Sequence, residues 1–538
     1  LTRAFIHVSM IKHEVYETKM HTINCNSQRG NNAVAHDNGA RAARLTARLS
    51  IAAACLAMCG CTVGPDFHVP AAPAATGYTA TALPVETVTT PAAGGAAQRF
   101  MLGADIPAQW WEMFHNPELD RLIRQALKDN PTLAAAQATL IQARENLRAR
   151  SGSEYYPSVD ASLTGTRQQA TGAAYGQPGA GTFVYSLLSA TVGVSYTLDL
   201  FGGGRRELEG LRSQVDYQRF QLEGAYLTLA SNIVTAAVKE ASLRAQLKAT
   251  REIITLQERQ LGLVERQFQL GGASRADTLA QQAQLAQSRT TLPPLEKDLA
   301  QTRNLLAVYT GRLPSEAALP VFDLEKLNLP GELPISIPSS LVRQRPDIRA
   351  SEELLHAAGA QVGVATANLY PQITLNGSMG TQATRVQDLF SPGTFIWSLG
   401  AGLTQPLFHG GELTAKRRAA IAALDQAGAQ YRETVLQAFQ NVADVLQALE
   451  SDAAALKAQD EAERSARDSL ELTQRQFALG GASYLSLLNA ERQHQQALLS
   501  LVQAQAARFA DSAALFQALG GGWWNRKMES AAENGSTR

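Results

Sequence analysis

One nine-residue phrase occurs twice in this chain. Arg266-Gln-Phe-Gln-Leu-Gly-Gly-Ala-Ser274 returns as Arg475-Gln-Phe-Ala-Leu-Gly-Gly-Ala-Ser483, displaced by 209 residues, and the same displacement relates Gly311 to Gly520. Upstream, Thr197-Leu-Asp-Leu-Phe201-Gly matches Thr404-Gln-Pro-Leu-Phe408-His, and Tyr156-Pro157 matches Tyr370-Pro371. Asn130-Pro131-Thr-Leu133 matches Arg345-Pro346-Asp-Ile348. Four anchors in one order, at displacements between 207 and 215, describe one structural unit used twice.

Each unit reads the same way. A helix starts at a proline suited to the first helical turn, Pro131 or Pro346, and runs to the Tyr-Pro pair. Period-two alternation follows, as strands require: Val159, Ala161 and Leu163, then Val192, Val194, Tyr196, Leu198 and Leu200. The second unit repeats it with Ile373, Leu375 and Met379, then Phe395, Trp397, Leu399, Ala401 and Leu403. Four strands in two hairpins are expected, with loops over 170–182 and 382–394. After a Gly-rich turn, residues 205–269 and 412–478 contain no proline and almost no turn signal. About 65 helical residues at ~1.5 Å each make a rod of roughly 100 Å, which no compact domain contains. Gly271-Gly272 and Gly480-Gly481 stop the rods, and a return helix of about 35 residues comes back.

These lengths predict that the return helix and the short first helix stack end to end beside each rod. In the second return helix, positions 485, 488, 492, 495, 499, 502, 506, 509, 513 and 516 keep coiled-coil spacing and are mostly apolar, so a continuous buried seam is expected. In the first, Leu292, Leu295, Leu299, Leu306 and Tyr309 keep that spacing, and Pro293-Pro294 should kink the helix. Residues 313–338, the chain before Pro131 and the tail after Gly520 are left to gather near the middle as a belt.

Strands alternating apolar with polar suit a barrel wall between lipid and lumen. Four strands cannot close a barrel, and an open edge in lipid leaves backbone groups unpaired. The chain must therefore share a barrel with copies of itself, and the strand count leaves two or three copies open. Composition agrees with such a molecule. Only 18% of residues are charged, and 48 basic side chains balance 48 acidic ones, which removes the electrostatic basis for nucleic-acid binding. No apolar run is long enough for a transmembrane helix.

All four cysteines, Cys25, Cys55, Cys59 and Cys61, precede residue 62. A metal reading of the last three is weak, because no further ligand pair follows at metal spacing. Arg41, Arg44 and Arg48 ahead of the apolar stretch 49–58 and Gly60 read as a signal peptide. Cleavage before Cys61, or less favourably Cys59, and an ordinary signal peptide with incidental cysteines remain alternatives. Residues 1–40 are polar and patternless, and are expected to be absent from the mature protein. The expected divisions are thus 1–40, signal 41–60, an N-terminal segment 61–130, a first repeat 131–311, a linker 312–345, a second repeat 346–520 and a tail 521–538.

Several motifs now combine: Cys61-Thr-Val-Gly-Pro65, Trp110-Trp111-Glu-Met-Phe114, Asn116-Pro-Glu-Leu-Asp120, Leu341-Val-Arg-Gln-Arg-Pro-Asp347-Ile-Arg349 and Tyr370-Pro371. Together they resemble the lipoprotein branch of the TolC-like outer membrane efflux factors, over residues 61–524. The resemblance implies an α+β membrane protein, a homotrimer whose coiled-coil helical barrel continues into a twelve-stranded outer-membrane barrel. It implies lipid attachment at Cys61 and a tripartite pump completed by a periplasmic adaptor and an inner-membrane transporter. A passive duct of this kind needs no cofactor, metal or catalytic residue. Phe201-Gly-Gly-Gly-Arg-Arg206 lacks the remainder of a phosphate loop, and a lone His409 beside Gly410, Gly411 and Glu412 reads as structural.

By the same resemblance, the tips at Gly271, Gly272, Gly480 and Gly481 meet the adaptor, although glycine also terminates helices there. Leu485, Asn489 and Arg492 occupy positions that line the periplasmic constriction in relatives, with Asn489 where an acid is usual. Asp277 resembles a residue that latches neighbouring helices and is a candidate partner for Arg475 or Arg492. The alternative for Leu485 is a seam residue, and for Asp277 a helix-start charge. A lipid-anchored coiled-coil spacer and a duct for secreted polypeptide are the competing functions.

Overall fold

The computed structural model describes residues 62–526 apart from 177, 178 and 180. Cys61, the signal segment and residues 527–538 lie outside the described residues. The elements are β1 (Arg99–Leu102), α1 (Pro117–Asp129), α2 (Pro131–Tyr155), β2 (Ser158–Thr171), β3 (Thr182–Leu198), α3 (Gly203–Gln269), α4 (Arg275–Thr290) and α5 (Leu292–Tyr309). They continue with β4 (Glu332–Ile335), α6 (Pro338–Gln344), α7 (Pro346–Ala367), β5 (Gln372–Ala383), β6 (Phe395–Thr404), α8 (Glu412–Ala478) and α9 (Tyr484–Ala518).

The two long helices have 67 residues each, so each is roughly 100 Å long. Both start after a glycine in the left-handed region, Gly202 at φ +78° and Gly411 at φ +84°. The first return helix is interrupted: α4 ends at Thr290 and α5 starts at Leu292, just ahead of Pro293 and Pro294, which lack the N–H a continuing helix needs. Helix α9, without proline, runs unbroken for 35 residues.

End-to-end stacking occurs in both repeats, through different side chains. At the first joint Asn130 caps α2, accepting from the N–H groups of Thr132 (2.8 Å) and Leu133 (3.2 Å). Its amide also donates to the Tyr309 carbonyl at the end of α5 (2.9 Å). At the second joint Arg345 precedes α7, pairs with Asp347 (2.6 Å) and donates to the Ala518 carbonyl at the end of α9 (2.9 Å). A guanidinium on the last carbonyls of a helix is favoured by the negative end of its dipole.

Four strands form one antiparallel sheet in the order β2-β3-β5-β6. β3 joins the two hairpins by pairing with β5, with Thr197 opposite Thr374. β2 and β3 extend well beyond the stretch of strict alternation, pairing from Ser158–Ser195 to Thr171–Thr182. Apolar residues such as Val159, Leu163, Trp397, Leu399 and Leu403 stand exposed on the outer strands.

The main core lies around the middle of α3 and α8. Trp110 stacks on Phe516 with centroids 5.1 Å apart, beside Phe114, Ile123, Ile233, Leu341 and Val442, all buried. A parallel two-stranded sheet, β1 with β4, closes this region by pairing Arg99–Leu102 with Glu332–Ile335. The segment before β1 is fastened to α8 and α9. Arg508, wholly buried, donates to Gln98 Oε1 (2.7 Å), and Thr90 donates to Asp460 (2.8 Å).

Candidate functional site

The sequence points to the hairpin tips and the first turns above them. At the first tip α3 ends with the Leu270 N–H on Arg266 O, the Gly271 N–H on Phe268 O and the Gly272 N–H on Gln267 O. The second tip repeats this geometry with Leu479, Gly480 and Gly481 on Arg475, Phe477 and Gln476. Gly271 at φ +80° and Gly480 at φ +78° hold a conformation that L side chains rarely adopt. Gly272 and Gly481 have ordinary φ, and a Cβ there would meet only a carbonyl oxygen at 3.6 Å. The first glycine of each pair is thus required by the turn, and the second is not. Leu270 and Leu479, 87% and 88% exposed, project at the two tips.

Asp277 closes a capping box. Its carboxylate accepts from the Ser274 N–H (2.9 Å) and hydroxyl (2.7 Å), while Ser274 Oγ accepts from the Asp277 N–H. The arrangement places negative charge at the positive end of α4. At the equivalent position of α9 stands Ser486, whose N–H donates to Ser483 Oγ (3.1 Å). Within the chain Asp277 pairs with neither expected arginine: Arg475 lies 3.4 Å from Glu471, and Arg492 Nε donates to Gln284 Oε1 (2.7 Å).

Leu485, Asn489 and Arg492 share one exposed stripe of α9, and Leu485 is 64% exposed. This corrects the expectation of a continuous seam through 485 and 492. Near the tip the buried positions are Tyr484, Leu487, Leu488, Ala490 and Glu491 instead. Two neighbours cause the shift: Leu487 and Ala490 pack on Leu470 of α8, while Tyr484 and Leu488 pack on Val264 of α3. Burial on two sides leaves Leu485, Ser486, Asn489, Arg492 and Gln493 on the exposed side. Farther along, Val502, Phe509, Ala513 and Phe516 are buried as the spacing predicts.

Between these neighbours runs a polar ladder not expected from the sequence. Gln281, Gln284 and Ser288 of α4, all buried, meet α9: the Tyr484 hydroxyl donates to Gln281 Oε1, Arg492 to Gln284, and Ser288 to Gln495 (3.4 Å). Gln281 also donates to the Gln257 carbonyl of α3 (3.3 Å). Glu491, 9% exposed, sits in this ladder with Oε2 unpartnered among the described residues. Burial pushes its carboxyl up to about 7, against a smaller opposing effect of Gln281. Burial likewise raises the Tyr484 hydroxyl. The sequence signal was available: the 281–284–288 spacing puts polar residues where a packed return helix calls for apolar ones.

At the other end of α3, the residues just after Cys61 are fixed at the foot of β3. The Val63 N–H donates to Phe201 O (3.1 Å), Arg206 pairs with Asp66 (2.7 Å), and Phe67 stacks on His356 at 4.1 Å. His409 lies 3.9 Å from Glu412, which also pairs with Lys416. Among the described residues no group of three His, Cys, Asp or Glu side chains could hold a metal.

Residues 122–312 and 337–521 match the family model described as outer membrane efflux protein. The chain is 30% identical over 487 residues to the probable efflux pump outer membrane protein TtgC of Pseudomonas putida, covering 89% of this chain and 96% of that one. It is 31% identical to the pyoverdine export outer membrane protein OpmQ of Pseudomonas aeruginosa, over 77% of this chain and 87% of the relative. Among solved structures, the outer-membrane channel OprN superposes with a TM-score of 0.77 at 27% identity, covering 86% of this chain and 100% of the other. The open state of the MtrE channel of Neisseria gonorrhoeae gives 0.72 at 27%, covering 86% and 99%.

Proposed function

The chain belongs to the outer membrane efflux protein family, and from that membership we propose that three copies close into one conduit, exporting small molecules through the outer membrane. The single observation that carries this reading is the four-stranded sheet with two free outer edges and exposed apolar side chains. Such a sheet is stable in lipid only when its edges are paired, and three copies supply twelve strands. The α3 and α8 hairpins then form the periplasmic tunnel below it.

Cargo of small molecules, such as drugs or toxic compounds, is supported by the relatives, which are named for toluene, antibiotic and pyoverdine export. The conduit is passive, and the energy comes from an inner-membrane transporter reached through a periplasmic adaptor at the glycine tips. Leu485, Asn489 and Arg492 form the periplasmic constriction, supported by their common exposure. Asp277 holds the tip of α4 in register and is available to a neighbouring copy as a latch. Cys61 carries the lipid, a reading supported by how tightly the following residues are held beside the foot of β3.

Reconstitution in planar bilayers tests this directly. Wild-type protein should give discrete, small conductance steps, and Leu485→Ser and Asp277→Ala should each enlarge them. A protein that inserts without conducting would sink the channel reading, and unchanged steps in both variants would remove the gate from these residues.

A further inference from the structure

One aromatic contact joins the two repeats within the chain. Phe201, just after β3, stacks on Tyr370, just before β5, with centroids 4.6 Å apart and planes at 17°. Each ring has a repeat equivalent, Phe408 after β6 and Tyr156 before β2. Those two are 88% and 70% exposed, and they sit at the two free edges of the sheet. The interface between repeats is therefore built once inside the chain, and its second half is left open at both ends.

We propose that Phe408 of each copy stacks on Tyr156 of the next, and that β6 pairs antiparallel with the next copy's β2 with Thr404 opposite Asp160. The proposal rests on the reading of the chain as one third of a ring, and adds to it a contact and a register. The register comes from the internal joint. Thr197 faces Thr374 there, Thr197 is equivalent to Thr404, and Thr374 lies four residues after Tyr370 as Asp160 lies four after Tyr156. The pairing matches faces over its first half, with Leu403 opposite Ala161, Ala401 opposite Leu163 and Leu399 opposite Gly165, before Trp397 and Phe395 fall opposite Arg167 and Gln169. A slip by one residue would put Leu403 opposite a polar Asp160 or Ser162. The Thr197 and Thr374 hydroxyls lie 3.4 Å apart inside the chain, and at the new joint the Thr404 hydroxyl can donate to the Asp160 carboxylate.

The two joints differ in one respect. At the first, Thr62 covers Gly202 so closely that a Cβ would collide with it, whereas Gly410 and Gly411 have nothing within 4 Å. Among the described residues of the single chain, nothing covers Gly410 and Gly411 as Thr62 covers Gly202.

Cysteine cross-linking in the full-length protein in outer membranes tests the register, since directly opposed strand residues fall within disulfide reach. Thr404→Cys combined with Asp160→Cys should give dimers and trimers on non-reducing gels, and combination with Ser158→Cys or Ser162→Cys should lose most of that product. Cross-linking that prefers Ser158 or Ser162 in protein that still forms conducting trimers overturns the register and leaves the channel intact. No cross-link in any pair, in protein that does not assemble, overturns both. For the rings, Phe408→Ala and Tyr156→Ala should each lower the temperature at which trimers dissociate, and the double variant should fall no further than the worse single. Strictly additive losses, or none, overturn the stack.

Discussion

Helices α3 and α8 are equal in length and begin 209 residues apart, yet α3 buries 24 side chains and α8 only 12. The difference is one of neighbours. α3 packs against α2, α4 and α5 of its own repeat and against α7 and α9 of the other; α8 packs substantially against α7 and α9 alone among the described residues. Ser231, Val238 and Ala241 are buried on α3, and their equivalents Gln440, Gln447 and Glu450 are exposed on α8. The complementary bare surface is on the first repeat, where Ile141 of α2 and Leu305 and Val308 of α5 are exposed. Ser231 donates to Gln517 of α9, and the repeat equivalent of Gln517 is Val308. The first repeat thus meets its neighbour inside the chain, whereas the equivalent surface of the second repeat is exposed in the single chain.

The strongest way to break this comparison is a charge on the bare side of α8. Leu436 is 71% exposed, whereas its equivalent Leu227 packs on the main core. If the next copy covers Leu436, Leu436→Lys should abolish trimers while leaving the chain's own helices formed. A buried leucine contributes about 2–3 kcal/mol, and the ring loses it three times over, with the added cost of desolvating lysine. Leu227→Lys should instead impair folding of the chain itself. Wild-type trimer yield for Leu436→Lys would show that this side of α8 faces solvent.

Next in size is a difference in pH response between the return helices. The α4 equivalent of Glu491 is Gln282, which is exposed and cannot titrate. Glu491 faces Gln281 on α4 and Tyr484 on its own helix; Asp277 and Arg492 act on the same Tyr484, and Glu463, His494 and Arg467 meet between α8 and α9. The folded-state pKa of Glu491, about 7, exceeds its ordinary value of 4.5, so the folded state binds the proton more tightly. Its stabilisation is complete below pH 4.5, declines as pH rises toward 7 and is gone above, an effect of roughly 3 kcal/mol per chain. Glu491→Gln should remove most of that decline and melt higher than wild type at pH 8. Equal loss of melting temperature between pH 5 and pH 8 in both proteins would refute it.

The same contrast explains what could be read without coordinates. The ends of α3 and α8 were legible to within two residues, because a proline-free run closed by Gly-Gly leaves a helix one place to stop. The four strands were legible as elements, and the expected loops over 170–182 and 382–394 fall where β2 ends at Thr171 and β3 starts at Thr182, and where β5 ends at Ala383 and β6 starts at Phe395, although strict alternation lapses over residues 164–171 and 182–190. β1 and β4 were invisible, being four residues each and set by a partner more than 200 positions away. The buried stripe of α9 near the tip was misread for a related reason. A seven-residue repeat describes contact with one partner, and α9 has two there. Glu491 is buried beside Gln281 of α4, and nothing local to residues 484–492 announces it.

The tips are where the two repeats are most alike, so they should respond alike, and by the smallest amount. Placing a Cβ at φ near +80° costs about 1–2 kcal/mol, so Gly271→Ala and Gly480→Ala should lower stability equally. Gly272→Ala and Gly481→Ala should melt as wild type does, because the new Cβ makes one ordinary contact. That indifference makes Gly481 the sharper probe of the adaptor. If the partner's backbone approaches it, Gly481→Ala lowers efflux from cells while the purified trimer keeps its melting temperature and conductance. Unimpaired efflux in that variant would assign Gly481 to no contact at all, and would leave Gly480 as a residue the turn alone demands.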